Sequence, residues 1–195
     1  ALRWMDEAQG RAGTTSAILA RGEKSELPPV PPAPTVTPVP APADAKEHPI
    51  GQAVGKAAQK KLGCWEAEQE GVRAIRSWPL DGGRTLVLLS CIGGAYDVSD
   101  VALVVSADGA WSPAAYDHEP ARLDDVSAPI VTNADFTPAT ATLTSYARGR
   151  GPGDCGVSSS WAWDGQRFRL LSRTEMPTCA GSRTWIPTWT CESAP

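Results

Sequence analysis

The residue types best able to ligate a metal or to act as nucleophile and base are few. They are five cysteines, at 64, 91, 155, 179 and 191, and two histidines, His48 and His118. Zinc chemistry needs thiolate or imidazole ligands at short, repeated spacings. The chain has no CxxC pair and no Cys/His cluster, so the sequence assembles no metal set. His48 precedes a proline, His118 lies between acidic residues, and the two are far apart, so both read as loop histidines. A cysteine nucleophile needs an activating base, and nothing in the spacing ties either histidine to a cysteine. Acid–base work needs paired carboxylates. The available pairs, Asp97 with Asp100 and Asp124 with Asp125, fall in turn-like stretches where Asp usually caps backbone amides. GxSxG, HExxH and a Ser/His/Asp set are absent. The chain reads as a non-enzyme that uses no metal and no cofactor. A hydrolase would need two carboxylates brought together from distant strands.

GRGPGDCG, Gly149 to Gly156, is the stretch most suggestive of a ligand loop. A phosphate cradle needs the free amides of a helix N-terminus. Here no GK[ST] follows, and the next element alternates like a strand. The remaining use is conformational. Glycines allow positive φ or close backbone approach, Pro152 stiffens the bend, and Cys155 is carried toward another cysteine across a sheet. Arg148 and Arg150 flank the loop and Asp154 lies within it. An arginine fork suits a carboxylate of the chain and an external anion equally well. Two readings follow: an Arg–Asp bridge that fixes the loop, and an anion site built from both arginines.

The elements that must position these groups can be read from periodicity and punctuation. LRWMDEAQ, 2–9, forms two helical turns ending at Gly10, and Thr14 or Thr15 can cap a second short helix, SAILA. In LPPVPPAPTVTPVPAPA, 27–43, eight of 17 residues are proline. That density predicts a polyproline II spacer that joins neither helix nor sheet. PIGQAVGKAAQKKL, 49–62, has near-helical apolar spacing with a lysine face in water. From Cys64 onward short strands alternate with tight turns. RTLVLLSC, 84–91, is a continuous apolar strand. VALVVSA and AWSPAAY flank Asp108-Gly109 as a hairpin whose second strand is confined to an edge by Pro113. PIVTNADF, 129–136, and ATLTSYARG, 141–149, follow as strands. SSSWAW and QRFRLL flank Asp164-Gly165, the strongest hairpin signal. A two-residue turn there places Trp161 opposite Phe168 and Trp163 opposite Gln166.

The predicted fold is mainly β (α+β): an antiparallel β domain of short strands and hairpins with a short N-terminal helix, stapled by disulfides. The expected organisation is 1–22 as the helical end of a preceding domain, 23–48 as a proline-rich linker, and 49–195 as the β domain. A net charge of −4 with no basic block argues against nucleic acid. No apolar run reaches the ~18 residues of a membrane span. The start at Ala1, already inside a helical pattern, reads as a piece of a longer precursor with any export signal upstream. Scattered cysteines in a Gly/Pro-rich chain with eight tryptophans suggest disulfides and an oxidising compartment. A reduced cytosolic chain is the alternative.

GRGPGDCGVSSSWAWDGQRFRLLSRTEMPTCAGSRTWIPTW resembles the C-terminal signature of the bacterial DUF1176 family, RGxGDCG…WxWDGxxFRL…MxxCxG…W…TW. CIGGAYDVS, 91–99, and WMDEAQGRAGTTSAILARG, 4–22, resemble two further segments of that family. The resemblance implies an exported proteobacterial protein with a signal peptide and a further N-terminal half. It places Cys64, Cys91, Cys155 and Cys179 at recurring cysteine positions and implies the pairs Cys64–Cys91 and Cys155–Cys179. Cys191 departs from the pattern, so it is free, paired outside this chain, or a competitor for Cys179. The family brings no catalytic residues. The resulting expectation is a periplasmic or secreted protein that binds an envelope or secreted protein, with Arg148, Arg150, Tyr96, Asp154 and the loop Tyr116–Asp125 as candidate contacts. A cell-wall or glycan-binding module, using tryptophan faces, is the alternative.

Overall fold

The computed structural model describes residues 2–19, 21–22, 32–49, 52–64 and 75–194. It divides into two units, Ala1–Ala33 and Pro34–Pro195.

In the first unit, helix α1 spans Leu2–Ala8. The expected second helix at SAILA does not form over its described residues. The cause lies in α1. Asp6 is fully buried, and its carboxylate accepts the backbone N–H groups of Ile18 (2.8 Å) and Leu19 (2.9 Å). A helix capped at Thr14 or Thr15 would need those same amides for its own ladder.

The second unit contains β1 (Thr35–Val36), α2 (Gln52–Leu62), β2 (Arg76–Pro79), β3 (Thr85–Gly93), β4 (Val98–Val105) and β5 (Trp111–Pro113). These are followed by β6 (Ile130–Thr132), β7 (Asp135–Thr137), β8 (Thr142–Arg148), β9 (Gly156–Trp163), β10 (Phe168–Met176), β11 (Ile186–Thr190) and β12 (Glu192–Ser193). The fold is mainly β, with two antiparallel sheets. One runs β2-β3-β4, and β4 pairs β6 through its first half and β5 through its second. The other runs β11-β10-β9-β8-β7.

Strand β3 explains why residues 86–89 of RTLVLLSC are apolar without alternation. Leu86 and Leu88 join Phe136, Leu143, Trp161, Trp163 and Phe168 in one core, which draws on both sheets. Val87, Leu89 and Cys91 join Ala58 and Leu62 of α2 in a second core on the opposite face. Alternate side chains of a strand point to opposite faces, so a strand with two cores has no polar side. Each such aliphatic side chain contributes roughly 1.5–3 kcal/mol on burial. The disulfide Cys64–Cys91, with Cα atoms 4.4 Å apart, fastens the C-terminal end of α2 to β3.

Three local expectations are corrected. PIVTNADF is two strands, not one. Asn133 takes φ 44°, and β6 and β7 on its two sides join different sheets. Asn is among the few residues that visit this left-handed region readily. The Asp164 hairpin has a four-residue loop. The Asp164 carboxylate accepts from the amides of Gln166 (2.9 Å) and Arg167 (2.8 Å), and the Asp164 N–H donates to the Arg167 carbonyl. The register therefore shifts: Trp163 faces Phe168, with ring centroids 5.3 Å apart, and Trp161 faces Leu170. The proline-rich stretch does join a ladder. Thr35 and Val36, a proline-free pair, run parallel to Glu192 and Ser193, and Val39 donates its N–H to the Trp163 carbonyl.

Candidate functional site

The loop 149–155 leaves β8 and enters β9, and its shape is dictated by close approach. A Cβ on Gly149 would lie 2.7 Å from the Cys155 sulfur, and one on Gly156, at φ +139°, would lie 2.1 Å from the Ala147 carbonyl oxygen. The glycines thus serve the backbone and the Cys155–Cys179 bridge, whose Cα atoms are 4.8 Å apart. That bridge brings the segment 177–185, which connects β10 to β11, against the glycine loop. A second tie runs in parallel. Arg150 forks onto Asp154 at 2.7 and 2.5 Å, and Asp154 also accepts the Gly181 N–H at 2.6 Å. The Arg150 guanidinium, with help from the Gly181 amide, holds the Asp154 carboxyl well below the usual carboxylate range.

Arg148 has a different partner. Its Nε donates to Asp97 Oδ1 at 2.9 Å and its backbone N–H to Asp97 Oδ2 at 3.0 Å, while the guanidinium lies 5.1 Å from the Tyr96 ring centroid and reaches the Tyr96 carbonyl. Asn133 completes this hub by donating to Asp97 and to the Tyr146 carbonyl. Arg148, Arg150, Tyr96 and Asp154 therefore gather at one end of the second sheet. The two guanidinia do not converge on one anion position, because each is held by its own carboxylate. Of the four, Arg150 and Tyr96 remain substantially exposed.

Beside this clamp is an open bay of about 550 Å³, lined by Tyr146, Arg150, Asp154, Arg183 and Trp185 among others. The Tyr146 and Trp185 rings stand 5.6 Å apart, and the Tyr146 hydroxyl donates to the Gly153 carbonyl at 3.3 Å. Arg183 is exposed, and its side chain makes no ion pair or hydrogen bond among the described residues. Ile186, at the start of β11, is 56% exposed next to Trp185.

A family model described as "Protein of unknown function (DUF1176)" matches residues 1–192. The chain belongs to the DUF1176 family. It is 31% identical over 205 residues to "Uncharacterized protein YpfG" of Escherichia coli (strain K12), an alignment covering 97% of this chain and 57% of that protein. The chain thus spans little more than half the length of this relative. No solved structure matches it.

The remaining sequence candidates of this DUF1176 chain are scattered. Cys64 and Cys91 form one disulfide, Cys155 and Cys179 the other, and Cys191 is a free thiol whose pKa is pushed up by burial. The start of the loop Tyr116–Asp125 packs along the second sheet, while Ala121 bridges to Ile130 of β6 in the first. Asp117 accepts the Leu170 N–H and pairs with Arg169, and the His118 carbonyl accepts the Trp161 indole N–H at 3.0 Å. His48 lies elsewhere, with its backbone N–H on the Thr85 hydroxyl. Among the described residues no group of three or more His, Cys, Asp or Glu is placed to hold a metal, and no helix is long and apolar enough to cross a membrane. Trp161 and Trp163 are core residues, while Trp185 and Trp189 line separate concavities. Sequence reasoning did not select Tyr146, Arg183 or Trp185. The available signal was the second disulfide, since a bridge from Cys155 to Cys179 carries CAGSRTW to the glycine loop.

Proposed function

We propose that this DUF1176 chain is an exported envelope or secreted protein that binds another protein, and that the bay beside the second disulfide is its contact surface. The carrying observation is composition in a fixed frame. Tyr146, Trp185 and two arginines surround one concavity whose two loops are tied by a disulfide and by Asp154. Tryptophan, tyrosine and arginine are the side chains that most often dominate binding energy at protein interfaces, and loops on a rigid scaffold lose little entropy on docking. Asp154 neutralises Arg150, so the unpaired charge of the bay is that of Arg183, although the chain as a whole carries −4. The complementary partner presents a carboxylate at the centre of its contact face. Two disulfides support an oxidising compartment.

The test is capture from envelope extract by the oxidised chain, followed by affinity measurement with the purified captured protein. Arg183→Glu and Trp185→Ala should each weaken binding by tenfold or more, with the circular dichroism and melting temperature of the free chain unchanged. Unchanged affinity in both variants would remove the bay as the contact surface.

A further inference from the structure

A second concavity lies away from the bay. An inner chamber of about 190 Å³ opens between the sheets, with Trp161, Ile130 and Val157 among its apolar lining. An outer hollow of about 310 Å³ reaches toward His118 and Trp189. Glu119 and Arg173 line both, so they stand where the two meet. The chamber is smaller than the ~300–1,000 Å³ of drug-sized sites.

Its polar groups have capacity to spare. Ser159 lines the chamber, is 4% exposed, and its hydroxyl makes no hydrogen bond among the described residues. Its oxygen is not one of the fully buried atoms that lack a partner, so it faces the chamber and can bond what enters. Neighbouring Ser145 is already used, since it accepts the Thr132 N–H and donates to the Thr132 carbonyl. Arg173 gives its Nε to Glu175, which leaves the Nη donors of the fork. Glu119 takes one bond from Arg122 on each oxygen, both 2.7 Å, and each carboxylate oxygen has a second lone pair. Arg173, paired with Glu175, and Glu119, paired with Arg122, therefore stand at the mouth of a small apolar chamber, each with bonding capacity left over, and the chamber holds one hydroxyl without a partner among the described residues.

We propose that this cleft binds a small zwitterion of the free α-amino-acid class bearing an apolar side chain. The side chain enters the chamber against Trp161 and Ile130. The carboxylate meets Arg173, the ammonium meets Glu119, and Ser159 bonds whichever head group lies nearer. A purely anionic ligand of the same size leaves the spare lone pairs of Glu119 unused, and a purely cationic one leaves the spare Nη donors of Arg173 unused. This assignment is independent of the protein-binding bay, which shares none of these residues.

The test is titration of the full chain with L-alanine, L-valine, L-leucine, L-methionine and L-phenylalanine at millimolar concentration, read by amide and indole N–H shifts. At least one should move the Ser159 amide and the Trp161 indole resonance with saturation. For that ligand, the N-acetyl and amide derivatives, which keep one charge each, should bind tenfold or more weakly. Arg173→Gln should abolish the response. Ser159→Ala, the milder change, should weaken it severalfold while leaving the fold intact. No saturable shift with any of the five would mean that the chamber holds only water and would overturn the proposal. Equal binding of the N-acetyl derivative would overturn the zwitterion and point to a simple carboxylate. Neither result bears on the Arg183 bay, whose variants should leave these shifts unchanged.

Discussion

Gly156 shows most plainly why the GRGPGDCG loop is glycine-rich. Its φ of +139° is open to glycine and strained for other residues, and a Cβ there would sit 2.1 Å from a backbone oxygen that cannot swing aside. Gly156→Ala should therefore cost about 2–3 kcal/mol in urea unfolding. A cost near zero would mean that β8 and β9 can separate at this point without loss. Asp154 makes a different statement, about pH. Its folded carboxyl lies below the unfolded value, because the ionised form is held by Arg150 and the Gly181 amide. The stabilisation from this tie is present above the ordinary aspartate pKa of ~3.9, and it is lost only as pH falls through the lower folded value. The Gly181 amide resonance should accordingly stay still through the pH range where free aspartates titrate. In Asp154→Asn, Gly181 should exchange its amide proton faster at every pH. Titration of the Gly181 amide at the ordinary aspartate value would show that the clamp is not formed in solution.

At the scale of elements, what the sequence discloses depends on how local the cause is. Asp108-Gly109 and Asp164-Gly165 mark hairpins because positive φ and side-chain capping act within four residues. The apolar run of β3 is also legible, although only the structure shows that its two faces serve two cores. The division of 129–136 between two sheets is not legible. It rests on Asn133 bonding to Asp97 and Tyr146, groups far away in the chain. The pairing of Thr35–Val36 is hidden for the same reason, since its partner lies beyond residue 190. The site follows this rule. Loop 149–155 is conspicuous from its own composition, but the bay needs Trp185 and the cleft needs Glu119 beside Arg173, and neither juxtaposition has a local signature. The hairpin register shows how much one side chain decides. Asp164 fixes the four-residue loop by accepting two amides at once, so Asp164→Ala should cost about 1–2 kcal/mol. Its clearest mark should be weakened contact shifts between Trp163 and Phe168. Retention of those shifts at full stability would place the register under the control of the core instead.

At the scale of the whole second unit, the two disulfides close separate loops, 27 and 24 residues apart in sequence. Loop-closure entropy assigns each about 3 kcal/mol. With no residues shared between the loops, their removal should add. Their consequences for binding should nevertheless differ. Cys64–Cys91 ties α2 to β3, on the face of the first sheet served by the second core. Cys155–Cys179 holds together the two loops that form the bay. The comparison is best made in a Cys191→Ser background, so that the free thiol cannot capture a released partner. The double variant Cys64→Ser with Cys91→Ser should lose about 3 kcal/mol and, below its melting temperature, bind the captured partner as the parent does. The double variant Cys155→Ser with Cys179→Ser should lose comparable stability and also weaken binding by tenfold or more, because ordering the freed loops is then charged to each docking event. Equal affinity in the two folded variants would separate the second disulfide from recognition and leave it a purely structural staple.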